Sequence, residues 1–532
     1  MASSPSQDSV EKVDVQHDNV AKKFRLPKTA EEKQRELDEA LAIDPGPATI
    51  SLAALQLYLV TLVACFCSGD NGFDSTVMGG INGMEQFRSY FGLADGAAKT
   101  SIVFGIYTIG SLTGTIPASY LPDRFGRRFP MFVGNIILIG GAALTANSKN
   151  MTMFLLGRWM TGMGCTVAAT SAKSYVAEIA PAKHRGAFLG VLNSFYYIGQ
   201  LAASGMMVST GNFKSEYSWR LPLYIQMIPA ALNLLFIWFC PESPRWLCSV
   251  ARFDDARIVL AKYHSATNNL ESPIVKLELE EIREKISVDG ADKSWWDFRP
   301  LFRSAADRYR TYMVILIGVF GQLSGNGMIT YFLPVLLKNA GIQSQQTRLV
   351  LNFVNSLTSF AGALGGTFTV DRFGRRTILL WGTVAITCIL AMITGLLSSE
   401  GTSAQANTGI AFIFIFGVVY SFGWTAMQAL YPAEVLGYEA RAKGLAFLNI
   451  CTQGSSCINT FGLPVALERI TWKVYLIFTI WDAFECVMIY FFVAETKGLT
   501  LEEVDEVFHD HNPKSYSLEL VKRRRARQIQ AA

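Results

Sequence analysis

The sequence predicts an all-α membrane protein, with twelve transmembrane helices in two pseudo-symmetric six-helix bundles joined by short polar helices. Three observations lead there. Half of the 532 residues are hydrophobic, 17% are charged and mean hydropathy is +0.26, a charge content low for a soluble chain of this size. The apolar residues gather into runs near the roughly 20 residues that a helix needs to cross a bilayer. The charged gaps between runs also repeat, because Asp123-Arg124-Phe125-Gly126-Arg127-Arg128 returns as Asp371-Arg372-Phe373-Gly374-Arg375-Arg376.

Two further signatures recur in the same order. Glu178 precedes Arg185 by seven residues, as Glu434 precedes Arg441. Glu242, in Pro241-Glu242-Ser243-Pro244-Arg245, is echoed by Glu495 in Ala494-Glu495-Thr496-Lys497-Gly498. Three signatures repeated at an offset of roughly 250 residues describe a duplicated membrane half. A duplicated membrane chain with few charges inside its spans reads as a transporter rather than an enzyme.

The runs place spans near 52–78, 98–121, 129–147, 151–178, 186–208 and 220–240, then near 310–338, 346–370, 377–398, 408–433, 442–465 and 473–494. Backbone groups find no partner in lipid, so such runs are helices or closed-barrel strands, and their length excludes strands. The chain divides into an N-terminal tail (1–50) expected to be disordered, a first bundle (51–245), a polar linker (246–305), a second bundle (306–496) and a C-terminal tail (497–532). With no cleavable leader visible, the first span is expected to act as the targeting signal. The block 251–297 has charges at helical spacing (Glu278, Glu280, Glu281, Arg283, Glu284, Lys285). Its pattern suits a plain linker and a set of short bracing helices equally.

Orientation follows from the gaps. Both hexapeptides, Lys183-His184-Arg185, Arg441-Ala442-Lys443 and Lys522-Arg523-Arg524-Arg525 fall on one side of the bundle, whereas Gly211–Ser218 and Ser398–Thr408 carry few positive residues. The positive-inside rule therefore predicts cytoplasmic termini and hexapeptides. The net charge of +4 is small and confined to these gaps, which is topology and not a nucleic-acid footprint. The nine cysteines lie mostly in apolar stretches and, with only five histidines, show no metal-ligand spacing. No metal site or bound cofactor is expected.

Three groups of residues are candidates for function. The first is a gate built from Asp123, Arg124, Arg127, Arg128, Glu178, Arg185, Glu242 and Arg245, with Asp371, Arg372, Arg375, Arg376, Glu434, Arg441 and Glu495 as its second copy. Charge-assisted hydrogen bonds at helix–loop–helix corners can break and re-form as two halves rock. The second is the pair Asp74 and Arg158, ionisable residues inside the first and fourth spans, where charge is costly. A carboxylate beside an arginine serves either as a proton-exchange pair or as a static ion pair, and the residues alone leave both open. The third is polar and aromatic: Asn193, Tyr196, Tyr197 and Gln200 on the fifth span, Gln322, Asn326 and Tyr331 on the seventh, and Trp424 and Gln428 on the tenth. Amides and ring faces suit a neutral polyhydroxylated ligand. Interhelical hydrogen bonding uses the same residue types. Gly325 and Gly327 beside Asn326 are expected to weaken the seventh helix.

These motifs together resemble the major facilitator superfamily, specifically its sugar porter family, over about Ser51 to Phe508. The resemblance implies two six-helix bundles, a cytoplasmic helical linker and alternating access. Proton-coupled members carry an aspartate and an arginine where Asp74 and Arg158 stand, which implies symport with the proton as coupling ion. Within the family, Gln322-Leu323-Ser324-Gly325-Asn326-Gly327, Met427-Gln428-Ala429-Leu430-Tyr431-Pro432 and Arg441-Ala442-Lys443-Gly444 look closest to fungal lactose and cellodextrin permeases. Hexose carriers usually have a glutamine where Gly321 stands, and a tenth-span tryptophan further on than Trp424. Smaller groups here imply room for a second sugar ring. Ala494 replaces the family's usual proline, which implies a softer end to the last span. The expectation is a monomeric plasma-membrane disaccharide:proton symporter. A facilitative hexose uniporter with Asp74 as scaffold, a polyol or glycoside carrier and a non-transporting sugar receptor are the alternatives.

Overall fold

The computed structural model describes residues 30–48, 50–93, 97–181, 184–289, 298–339, 341–398, 403–425, 427–436, 441–470, 472–497, 499 and 501–531. Regular structure among the described residues is helical throughout. The first six spans are Leu52–Asn82, Ala97–Phe125, Arg128–Ala146, Met151–Ile179, Arg185–Thr210 and Tyr217–Phe239. The second six are Ala305–Leu323 with Asn326–Asn339, Gln345–Phe373, Arg375–Ser398, Ser403–Gly423 with Met427–Val435, Arg441–Arg469 and Lys473–Phe492.

Spans begin where the sequence supplies a cap. Ser51, Asn150 and Ser344 each accept a backbone N–H three residues on, and Ser304 forms a reciprocal capping box with Asp307. Three spans are interrupted. The sixth breaks at Gln226, the seventh at Ser324-Gly325 with Gly325 at φ +83°, and the tenth after Gly423. The break at Gly325 is the one its glycines predicted. The last span stops at Val493 in extended geometry without the missing proline.

Small residues let the spans pack backbone to backbone. A Cβ on Gly72 would collide with the carbonyl of Tyr196, and one on Gly199 with that of Gly69, so the first and fifth spans touch at their glycines. The two halves meet where the second span packs on the eleventh and the fifth on the eighth.

Polar helices cover the end that bears the hexapeptides. Pro244–Ser249, Phe253–His264 and Pro273–Asp289 follow the sixth span. They pack on the ends of the first and fourth spans and on an N-terminal helix, Ala30–Ile43. Residue 30 onward is therefore not the disordered tail the composition suggested, because Ala40 and Leu41 find apolar cover on Leu260 and Ile274. Asp44 ties this segment down, accepting from Ala266 N (2.8 Å) and Ser272 Oγ (2.6 Å). The second half has its own cover, Leu501–His509, held by Arg310 to Asp505 at 2.5 Å.

Candidate functional site

Among the described side chains, the two charge clusters are built alike. In the first half, Arg127 donates Nε and Nη2 to Glu178, both at 2.9 Å, and Nη1 to Asp123 at 2.9 Å. Glu242 accepts the backbone N–H of Arg127 and of Ser243, both at 2.9 Å, so its charge sits on the positive end of the third span. Ser243 Oγ donates to Glu178. In the second half, Arg375 reaches Glu434 at 2.8 to 3.2 Å and Glu495 accepts from Arg375 N at 2.9 Å. Thr496 Oγ1 then donates to Glu434 at 2.6 Å. Arg128 and Arg376 reach the carbonyls of Trp238 (2.8 Å) and Tyr490 (2.9 Å) and lie over the same rings.

Burial and pairing set the charge states of the first cluster. Burial pushes the Glu242 carboxyl up despite its backbone donors. Burial works against the Arg127 guanidinium, but Glu178 and Asp123 outweigh it and raise it. The turn before each arginine is a glycine at positive φ, +89° at Gly126 and +96° at Gly374. A Cβ there would stand 2.5 Å from Glu242 Oε2 and 2.6 Å from Glu495 Oε2.

Not every expected gate residue joins these clusters. Arg185 and Arg245 are exposed, and the partners of Glu178 are Arg127 and Ser243, which already fill its two oxygens. Arg124 is exposed and lies on Tyr120 and Phe125. Arg372 contributes its carbonyl, which accepts from Lys497 Nζ at 2.5 Å. The side chains of Asp371 and Arg441 lie outside the described residues.

Asp74 and Arg158 do meet. Their side chains pair at 2.5 Å with 2% and 3% of each exposed, and Gln226 Nε2 donates to the same Asp74 oxygen at 2.6 Å. The guanidinium lies 4.7 Å from the Tyr107 ring centre. Asp74 Oδ2 and Arg158 Nε have no hydrogen-bond partner among the described residues. A small cavity opens beside the pair, lined also by Ser75, Thr108, Tyr331 and Thr460. Tyr331 and Thr460 belong to the second half, so the pair faces the junction between halves and not the interior of one bundle.

The polar set gathers only in part. Tyr196 bonds Ser75 at 3.0 Å, and Gly79 packs on the backbone of Thr330 and Tyr331, so spans five and seven both pack on the first. Tyr197 crosses the gap between halves to Thr425 at 2.8 Å. Asn193, one turn earlier on the same face, is exposed, and Gln200 is half-buried. Gln322 is half-buried, with its carbonyl accepting from Asn459 Nδ2, and Asn326 Oδ1 accepts from Thr330 at 3.4 Å. Trp424 does not join them. It is fully buried, and its Nε1 is engaged by Thr383 at 3.2 Å, inside the second bundle.

Gln428 overturns a spatial expectation. Its Nε2 donates to Tyr420 Oη at 2.7 Å and lies 2.6 Å from where a Cβ on Gly321 would stand. The room left by Gly321 is thus filled by a carboxamide from the tenth span.

Several residues escaped the sequence analysis. Asp70, Asp482 and Glu485 are fully buried ionisable groups inside spans, marked by the same signal that singled out Asp74. Gln226, Ser243, Thr496 and Tyr107 carry no charge and had no such mark. At the end remote from the hexapeptides, Gln345 joins the halves. It donates to Gly211 O (2.9 Å) and Gln86 Oε1 (3.2 Å) and accepts from Glu85 N (3.0 Å). Gln346 donates to Val208 O at 3.0 Å, so this end is closed.

Comparison with known proteins gives a consistent family. The profile of the sugar (and other) transporter family matches residues 60–508. A high-affinity glucose transporter of Kluyveromyces lactis is 26% identical over 487 residues, 86% of each chain. The MFS-type transporter criB of Aspergillus cristatus is 28% identical over 442 residues, 83% of this chain and 90% of that one. Among solved structures, the inward-open xylose transporter XylE of E. coli superposes with a TM-score of 0.69 at 20% identity, covering 85% of this chain and 99% of the other. These relatives do not bear out a special likeness to lactose and cellodextrin permeases.

Proposed function

From the premise that the chain belongs to the sugar (and other) transporter family, we propose that it carries a hexose-class monosaccharide and a proton together across the plasma membrane. The chain is a multi-pass membrane transporter with a small sugar as substrate and not an enzyme. The finer reading rests on one observation above the others: the buried Asp74–Arg158 pair, with one carboxylate oxygen free, opens on a cavity shared by both halves. Protonating Asp74 would release Arg158, and only a group at the junction can report that change to both bundles. The filled space at Gly321 and the glucose carriers among the relatives favour a single ring over a disaccharide.

In this reading the hexapeptide end and both termini are cytoplasmic, the closed far end faces outward, and one chain suffices as the working unit. Asn193, Gln200, Gln322, Asn326 and Tyr331 contact the sugar, and the twin clusters of Arg127 and Arg375 set the balance between states. The test is uptake of labelled glucose, cellobiose and lactose in yeast lacking its own sugar carriers, with and without a protonophore. Glucose uptake that collapses with the protonophore, and falls by about 10² or more in Asp74→Asn, is the expected result. Uptake indifferent to both would leave a facilitative carrier.

A further inference from the structure

Asp70 lies one helical turn before Asp74 on the first span, on the hexapeptide side and roughly 6 Å away along the axis. It is 0% exposed, and neither of its carboxylate oxygens has a hydrogen-bond partner among the described residues. The charged group acting on it is Asp74 itself. The thiol of Cys67, on the same span, and that of Cys165, on the fourth, lie alongside. Lys173 of the fourth span acts on Cys165, and Arg158 is engaged by Asp74. Tyr107 of the second span and Tyr196 of the fifth interact with Asp74. Of these two buried carboxylates only Asp74 is paired with the guanidinium, and a second unpaired charge inside a membrane span is costly enough that one proton stays with the two carboxyls.

We propose that Asp70 is a second proton-carrying site, through which the proton released by Asp74 leaves toward the hexapeptide end. The inference rests on the symport reading above. In the loaded state both carboxyls are protonated and Arg158 is released. Asp70 then gives its proton to water on the hexapeptide side and takes the proton of Asp74. The Asp74 carboxylate re-pairs with Arg158. The count alternates between two protons and one, and no other reactant is needed. The 2.5 Å pairing of Asp74 with Arg158 is the geometry the proposal assigns to the one-proton state.

The test uses the full chain reconstituted in liposomes, with labelled glucose as the probe. Accumulation driven by an imposed proton gradient is divided by gradient-free sugar exchange, for wild type, Asp70→Asn, Asp70→Glu and Asp74→Asn. The expected ratio falls at least about tenfold in Asp70→Asn and stays within about threefold of wild type in Asp70→Glu, which keeps the acid. A wild-type ratio in Asp70→Asn overturns the relay and leaves symport standing. A loss in Asp70→Glu as deep as in Asp74→Asn also overturns it, and this arm decides if Asp70→Asn does not fold. Exchange without any gradient-driven accumulation in wild type overturns the symport reading and the relay together.

Discussion

A side chain at Gly126 would meet two obstacles at once, a left-handed φ of +89° and the Glu242 carboxylate 2.5 Å from its Cβ. The second cannot be relieved cheaply, because that carboxylate holds the start of the third span. Gly126→Ala is expected to cost about 2–4 kcal/mol, read as a lower midpoint of thermal unfolding in detergent. Gly186→Ala, which opens into free space, is the control and should be near neutral. Legibility at this scale followed chemistry. Arg127, Glu178, Glu242 and their copies were readable because charged residues repeated at fixed spacing. The pairing itself was not: Arg185 is closer to Glu178 in sequence, but Arg127 alone offers it two parallel donors. Ser243 and Thr496 stood in the repeat unnoticed, since a hydroxyl is silent until its partner is placed. Trp424 misled because an aromatic residue on a cavity helix packs inward as readily as outward.

The polar helices behave as two separate covers, one under each half. The first is fastened by His264, whose Nδ1 faces Glu278 at 2.5 Å and whose Nε2 faces the carbonyl of Ile179 at 3.0 Å. With acceptors at both nitrogens, the ring is held as imidazolium. Burial opposes this, but Glu278 and the two hydrogen bonds outweigh it and lift the group above its ordinary value of 6.5. A group raised on folding contributes fully below its unfolded value and loses that contribution as pH rises through the folded one. The gap in thermal midpoint between wild type and His264→Gln should therefore be widest below pH 6.5, about 2 °C, and shrink steadily as pH rises. A gap that widens with pH would refute the assignment. Span positions were legible to within a few residues from apolar length alone. The break at Gln226 was not, because nothing in a run of apolar residues announces that a glutamine will turn to meet an aspartate on another span.

Across the whole molecule, the halves are held at the far end by neutral amides and at the other end each keeps its charges to itself. Gln345→Ala removes three hydrogen bonds that join the halves, and each is worth about 1 kcal/mol or less at a partly exposed site. The expected result is a shift toward the far-end-open state by roughly 5–50-fold, seen as longer spin-label distances between the exposed Lys214 and Thr347 positions, whose side chains take no part in these bonds. An unchanged distance distribution would mean that packing, not the amides, holds this end. The family fold was legible from duplication, whereas the conformation was not, because both states present the same apolar faces to lipid. Among the described residues eight spans are long and apolar enough to cross a bilayer on their own, and the fourth, fifth, tenth and eleventh are absent from that group, the tenth because its apolar stretch is only Asn407–Gly423. Their polarity is the stuff of the junction: Arg158, Tyr197 and Thr460 lie on them. The fourth and fifth are consecutive, so during synthesis two successive segments reach the bilayer without enough greasiness to stay there alone. Their retention depends on the second and third spans, against which the fourth packs, and on the first, against which the fifth packs, which makes insertion of the first half a concerted event.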